Sequence, residues 1–204
     1  MLHFADQNLI FIEVPKTATS SVVAECISRS PNLTRNSLYK DGRIVASTVT
    51  HVTAYSVSCM LCSASIDDQK LFAFFRDPVD VLRSKYYFYK SGRAKMQLDD
   101  PSYKASLKQR INVFLANLLP MSIWLFGIPY TSSSEYILNN SGEILVDILC
   151  DYTKVSSVIS EILVDKFNVY NSFELPSLNR SVNSSVPINR FESFILNIAV
   201  SIRL

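Results

Sequence analysis

A lysine and a group of hydroxyl side chains lie close together near the start of this 204-residue chain. Four hydroxyl residues stand within five positions of Lys16, namely Thr17, Thr19, Ser20 and Ser21. A lysine ammonium binds an anion as a point charge, and hydroxyls and the N–H groups at a helix start add hydrogen bonds to it. The segment from Pro15 to Ser21 therefore predicts an anion site. The alternative is an ordinary helix N-cap beside an exposed lysine.

A second candidate for anion binding follows the apolar run 70–75. Arg76 ends this run, and its planar guanidinium can donate two parallel hydrogen bonds to an anion. Ser84 lies two helical turns beyond Asp77 and can add a hydroxyl on the same side. A magnesium-dependent nucleotide kinase would place an aspartate where Arg76 stands. The two segments together predict a ligand that carries two separated anionic groups and needs no metal.

Glycine content and charge exclude several classes of protein. The chain has only four glycines, and no two are close enough for either common glycine-rich phosphate loop. The formal net charge of +2 gives no case for a nucleic-acid-binding protein. Between Arg76 and Arg110, however, nine Lys and Arg residues face four Asp residues. This basic stretch favours a local anion site, and the alternative is an ordinary solvated helix face.

The four cysteines indicate neither a disulfide framework nor a metal centre. Cys59 and Cys62 have the CxxC spacing of zinc ligands, but no second pair accompanies them, and His3 and His51 are the only histidines. We expect these cysteines to be small apolar residues on one helix face.

Apolar periodicity predicts alternating strands and helices over a single domain of residues 1–204. This alternation favours an α/β fold with a central parallel sheet flanked by helices. Asp77 and Pro78 have the residue types of an N-cap and a first helical turn. Residues 30–46 are predicted to be loop. The predicted strands are 8–14, 70–75 and a pair within 134–149, and the predicted helices are 17–28, 52–64, 78–90, 103–119, 155–167 and 188–204.

One uncharged stretch, residues 111–134, has the length of a membrane span. Pro120 and Pro129 interrupt it, and Asn112 and Asn117 lie inside it. We therefore expect a buried helix and a buried extended segment, with no integral membrane segment. No signal peptide is evident, so a cytoplasmic location is expected.

Several motifs resemble the carbohydrate sulfotransferases related to heparan sulfate 2-O-sulfotransferase. VPKTATSS at 14–21 is similar to that family's 5′-phosphosulfate loop, commonly VPKTAGTS. FAFFRDPVDVLRSKYYF at 72–88 resembles its 3′-phosphate element, commonly FxFVRDPxxRLxSxYxF. THVTA at 50–54 resembles the segment that holds the family's histidine base, and LPSLNRS at 175–181 matches a late segment.

The resemblance implies a P-loop-like sulfotransferase fold and an enzyme that moves a sulfuryl group from 3′-phosphoadenosine 5′-phosphosulfate (PAPS) to a carbohydrate or glycolipid hydroxyl. It implies His51 as the general base and Lys16 as the residue that stabilises the leaving phosphate. For His51 the alternative is a hydrogen-bonded histidine in a polar loop. The resemblance and the residue types together predict cofactor contacts from Pro15, Lys16, Thr17, Ala18, Thr19, Ser20, Ser21, Arg76, Ser84 and Arg180.

The chain also departs from the family pattern. Thr19 stands where the family has glycine, and Val81 and Leu82 fall where the family has an arginine-leucine pair, with the charge carried by Arg83 instead. Animal relatives carry an N-terminal membrane anchor, whereas this chain begins almost at its first strand, as expected of a bacterial cytoplasmic enzyme. Two alternatives to the sulfotransferase stay open. One is a magnesium-dependent nucleotide kinase, and the other is a non-catalytic protein that binds the desulfated nucleotide, PAP.

Overall fold

The computed structural model describes residues 1–48, 51–99, 106–125 and 133–175. The described residues separate into two compact units, one within 1–76 and 133–175 and the other within 77–125. The prediction of a single domain over 1–204 stays a prediction, and the predicted helix 188–204 lies outside the described residues.

The first unit is built on a four-stranded sheet. Its strands are β1 (Leu2–Phe4), β2 (Leu9–Ile12), β5 (Lys70–Phe75) and β6 (Ile148–Asp151), in the order β1-β2-β5-β6. β2, β5 and β6 are parallel, and β1 pairs antiparallel with β2. The unit also contains the hairpin strands β3 (Ser37–Lys40) and β4 (Arg43–Ser47). The predicted mixed α/β architecture with a mostly parallel, helix-flanked sheet is confirmed.

Alternate residues of the central strands face two separate apolar clusters. Phe11, Phe72 and Phe74 pack with α1 (Thr19–Arg29) and with α7 (Val155–Ser160), which continues as a π-helix over Glu161–Lys166. Ile10, Ile12 and Ala73 pack with α2 (Ala54–Ala64). Because side chains alternate along a strand, each face of the sheet is covered by its own set of helices.

Residues 30–46 were predicted to be loop, and this was wrong at its second half. β3 and β4 form an antiparallel hairpin there, with Asp41 and Gly42 at its tip. Both tip residues have positive φ, 50° and 72°. A two-residue hairpin turn requires this conformation to match the right-handed twist of its strands. The Asp-Gly pair was the sequence signal for this turn.

The predicted pair of strands within 134–149 forms only in part. Leu138 and Ile144 make a single antiparallel bridge around a turn in which Gly142 has a φ of 81°. The Asn139 side chain accepts hydrogen bonds from the N–H groups of Ser141 and Glu143 and closes this turn. The chain then continues into β6, which pairs with β5 and not with the preceding segment.

The described part of the second unit is helical, with α3 (Pro78–Lys90), α4 (Gly92–Asp99), α5 (Leu107–Leu118) and α6 (Met121–Trp124). The predicted cap of α3 is confirmed, because the Asp77 carboxylate accepts hydrogen bonds from the N–H groups of Val79 and Asp80. Trp124 is the largest fully buried residue in the core of this unit.

The expectation that the uncharged stretch forms a buried helix was wrong for one face of α5. Phe114 and Leu118 are each 65% exposed, and Leu107 and Ile111 on the same helical stripe are also exposed. The opposite face, with Val113 and Ala116, is buried. Within the described residues, no helix combines the length and the apolar character that crossing a bilayer requires.

Candidate functional site

The loop between β2 and α1 holds its shape through bonds within itself. Thr17 is fully buried, and its Oγ1 donates a hydrogen bond to the carbonyl of Val14 at 2.8 Å. Thr19 Oγ1 donates to the same carbonyl at 3.4 Å. These two hydroxyls therefore face inward and close the loop, while Ser20 lies exposed at the start of α1.

The backbone of this loop takes the left-handed conformation twice without glycine. Lys16 has a φ of 68° and Ala18 a φ of 59°, a conformation that residues with a Cβ adopt at a cost. Ala18 is the N-cap of α1, and its carbonyl accepts the N–H groups of Ser21 and Val22. The first two N–H groups of the helix, those of Thr19 and Ser20, come before these bonds, so the start of α1 carries donors suited to an anion.

Arg76, the residue that ends β5, is bonded to this loop. Its Nη1 donates a hydrogen bond to the carbonyl of Lys16 at 3.0 Å, and its guanidinium carbon lies 4.3 Å from the centre of the Tyr152 ring. Arg76 Nε is buried, and within the described chain it has no hydrogen-bond acceptor. A buried donor without a partner is costly, and an oxyanion beside it would supply the missing acceptor.

His51 is bonded to the other end of the same loop. Its Nδ1 lies 2.9 Å from the carbonyl oxygen of Glu13. A carbonyl oxygen only accepts, so the Nδ1 atom must carry the proton, and in the neutral ring the Nε2 atom then has a free lone pair. The Tyr136 ring meets the His51 ring edge-on at 6.5 Å between centroids, and burial raises the pKa of Tyr136.

Glu13 is a buried carboxylate at the carboxyl end of β2. Arg35 donates to both of its oxygens, through Nε at 2.9 and 3.0 Å and also through Nη2, and the α-amino group of Met1 donates to Oε1 at 2.7 Å. Burial alone would raise the pKa of Glu13. The bonds from Arg35 and the positive charge of the Met1 amine outweigh burial and lower that pKa.

The structure thus brings three of the predicted site residues to one short segment. Arg76 contacts Lys16, and His51 contacts Glu13, which lies three residues before Lys16. Ser84 lies on α3 in the second unit, and Arg180 lies outside the described residues. Pro15 and Ala18 are half-buried within the loop, and Ser21 is buried at the start of α1.

Cys59 and Cys62 lie three residues apart on α2, and so on one face of that helix, and both are exposed. The described residues contain no group of three or more His, Cys, Asp or Glu side chains arranged to hold a metal ion.

Glu13, Arg35 and Tyr152 were not predicted as site residues. An acidic residue inside the apolar run NLIFIEV was the available signal for Glu13. No comparable signal marked Arg35 and Tyr152, since both are distant in sequence from the residues that they contact.

Comparison of the chain with models of protein families, with curated proteins and with solved structures gives no match in any of the three.

Proposed function

We propose that this protein is a PAPS-dependent sulfotransferase that transfers a sulfuryl group to a hydroxyl of a carbohydrate acceptor, with a P-loop-like sulfotransferase fold. The observation that supports this most is that a guanidinium and an imidazole are both hydrogen-bonded to backbone carbonyls of one loop. Arg76 is bonded to Lys16, and His51 is bonded to Glu13. The four-residue segment from Glu13 to Lys16 is therefore bonded both to a candidate anion-binding side chain and to a candidate proton acceptor.

The residues of the first unit fit a phosphosulfate-bearing nucleotide. Lys16 and the first turn of α1 would hold its 5′-phosphosulfate through positive charge and N–H donors. Arg76 would hold a phosphate of the nucleotide, and its buried Nε is a donor for which the described chain offers no acceptor. When bound, PAPS supplies the sulfuryl group to be transferred.

The protein's own groups then have simple tasks. His51 Nε2 takes the proton of the acceptor hydroxyl, because Nδ1 is already occupied by its bond to Glu13. Lys16 places positive charge beside the phosphate oxygen on which negative charge develops. The bonds of His51 and Arg76 to carbonyls of the loop hold the imidazole and the guanidinium in place before any ligand arrives, so these two groups need little reorganisation.

Nucleotide binding tests this proposal. We expect PAP to raise the melting temperature of the protein without Mg²⁺. At a PAP concentration one hundred times its Kd, the free energy of unfolding should rise by about 2.7 kcal/mol. Lys16→Ala and Arg76→Ala should each weaken this effect, whereas Lys166→Ala, an exposed lysine elsewhere in the first unit, should not. Stabilisation by ATP only with Mg²⁺ would instead indicate a kinase, and no response to PAP would contradict the proposal.

Transfer itself separates an enzyme from a protein that only binds nucleotide. Release of PAP from PAPS is measured with a panel of neutral and acidic oligosaccharides as acceptors. We expect His51→Asn to lower the rate by about 10²–10⁴-fold with little change in PAP affinity. Binding of PAP without any transfer that depends on His51 would indicate the non-catalytic alternative.

A further inference from the structure

We propose that Glu13 is a positioning residue for His51, and that the Glu13–Arg35 ion pair holds the backbone carbonyl that selects the tautomer of His51. The catalytic part of this inference rests on the proposed function, in which His51 is the base. The structural part, which tautomer His51 adopts and why, does not depend on it.

The bond from His51 Nδ1 to the Glu13 carbonyl determines the tautomer of the imidazole. Neutral histidine in water exchanges between two tautomers, and only the form protonated at Nδ1 leaves Nε2 able to accept a proton. The distance of 2.9 Å to a carbonyl oxygen selects that form. His51 reaches this position with a φ of 60°, a left-handed backbone conformation that surrounding contacts must maintain.

The position of the Glu13 carbonyl depends on the bonds of the Glu13 side chain. Glu13 lies one residue beyond the end of β2, after the last strand residue Ile12, so the pairing of β2 with β5 does not hold it directly. The Glu13 side chain holds this residue in place, because its carboxylate is fully buried and accepts hydrogen bonds from Arg35 and from the Met1 amine. A buried carboxylate with several charge-assisted hydrogen bonds has little freedom to rotate.

The Arg35 side of the pair is itself fixed. Its neighbour Asn36 donates its N–H to the carbonyl of Met1 at 2.9 Å, and the Asn36 side-chain oxygen accepts from the Met1 amine at 2.8 Å. Arg35 is 35% exposed, whereas Glu13 is 0% exposed, so substitutions at Arg35 disturb the core less. The ion pair thus connects the segment before β3 to the residue that orients the imidazole.

Nitrogen-15 NMR of the imidazole ring tests the inference directly. In the wild-type protein, at a pH where the imidazole is neutral, we expect one dominant tautomer with the proton on Nδ1. In Arg35→Ala and Glu13→Gln, we expect signal from the tautomer protonated at Nε2. Arg35→Lys keeps the charge but not the paired donors, so it should give an intermediate result. Glu25→Gln is the matched control, because it removes the charge of the Glu25–Arg29 pair on α1, whose described hydrogen bonds go to residues other than His51.

Activity provides the second measurement. We expect kcat for transfer to fall about 10–100-fold in Arg35→Ala, with PAP affinity changed less than about 3-fold and partial recovery in Arg35→Lys. A folded Arg35→Ala variant with an unchanged tautomer would overturn the inference, whatever its activity. If Glu13→Gln does not fold, the Arg35 variants decide the question. A shifted tautomer with no loss of transfer in His51→Asn would preserve the structural part and contradict the proposed function instead.

Discussion

The guanidinium of Arg76 donates a hydrogen bond to the backbone carbonyl of Lys16 at 3.0 Å, although the two residues are 60 positions apart in the sequence. This bond connects the end of β5 to the loop after β2, its parallel neighbour in the sheet. The carboxyl ends of adjacent parallel strands are where open α/β sheets bind ligands. The guanidinium is also stacked on Tyr152, just after β6, so the ends of three adjacent strands meet there.

The stacking of Arg76 on Tyr152 predicts a difference between two substitutions. Tyr152→Leu removes the aromatic face, and we expect PAP affinity to fall about 3–10-fold because a cation–π contact contributes about 0.5–1.5 kcal/mol. Tyr152→Phe keeps the ring and should change the affinity less than about 2-fold. Isothermal titration with PAP measures both. Equal losses in the two variants would show that the hydroxyl, and not the ring, matters.

Arg76→Lys separates charge from geometry. Lysine keeps the positive charge but lacks the planar fork and the stacking on Tyr152, so we expect PAP to bind about 10–100-fold more weakly than to the wild-type protein. The same titration measures this change. Wild-type affinity in Arg76→Lys would indicate that a point charge suffices at this position.

The inward bond of Thr17 predicts a loss of stability. Thr17→Val keeps the shape of the side chain but removes the donor to the Val14 carbonyl, and we expect the free energy of unfolding to fall by about 1–2 kcal/mol. Urea unfolding followed by circular dichroism measures this. The exposed Thr34 is the matched control, and Thr34→Val should change stability by less than about 0.5 kcal/mol. An unchanged stability in Thr17→Val would mean that the hydroxyl does not hold the loop.

The lowered pKa of Glu13 predicts how stability depends on pH. Because the folded-state pKa lies below the value in the unfolded chain, the stabilisation is complete above about pH 4.3 and is lost as pH falls through the folded-state value. Glu13→Gln lacks this contribution, so it should be less stable than the wild-type protein at pH 7. The difference between the two should shrink below pH 4. Urea unfolding at several pH values measures it, and a difference that does not vary with pH would refute the assignment.

The exposed stripe of α5 predicts tolerance to charge. Phe114 is 65% exposed, so Phe114→Lys should change the free energy of unfolding by less than about 0.5 kcal/mol. Trp124 is 1% exposed, and Trp124→Ala should cost about 3–5 kcal/mol. Denaturant unfolding of both variants measures the contrast. A cost above about 2 kcal/mol for Phe114→Lys would show that this face is covered.

Sequence patterns were sufficient for several elements whose structure depends on local chemistry. The run Lys70–Phe75 matched β5 in full, and Asp77 was recognisable as an N-cap because its side chain bonds to N–H groups two and three residues ahead. The hairpin of β3 and β4 also had a local signal in Asp41 and Gly42, which the polar composition around it obscured.

Contacts between distant segments could not be predicted in this way. The pair of Glu13 with Arg35 and the stacking of Arg76 on Tyr152 depend on which strands become neighbours. Apolar periodicity also does not report which side of α5 meets the core, because Phe114 and Val113 are equally apolar in sequence but differ in exposure. The role of Lys16 in binding an anion stays a prediction, as does that of Ser84.

The short spacing between Glu13 and Lys16 has a consequence for how this protein can diverge. One residue orients the imidazole and the other accepts the Arg76 bond, with only Val14 and Pro15 between them. Surface loops usually tolerate insertions, but one added residue here would move the imidazole and the guanidinium relative to each other. Homologous proteins that keep both groups should therefore conserve the length of this segment more strictly than the identity of its residues.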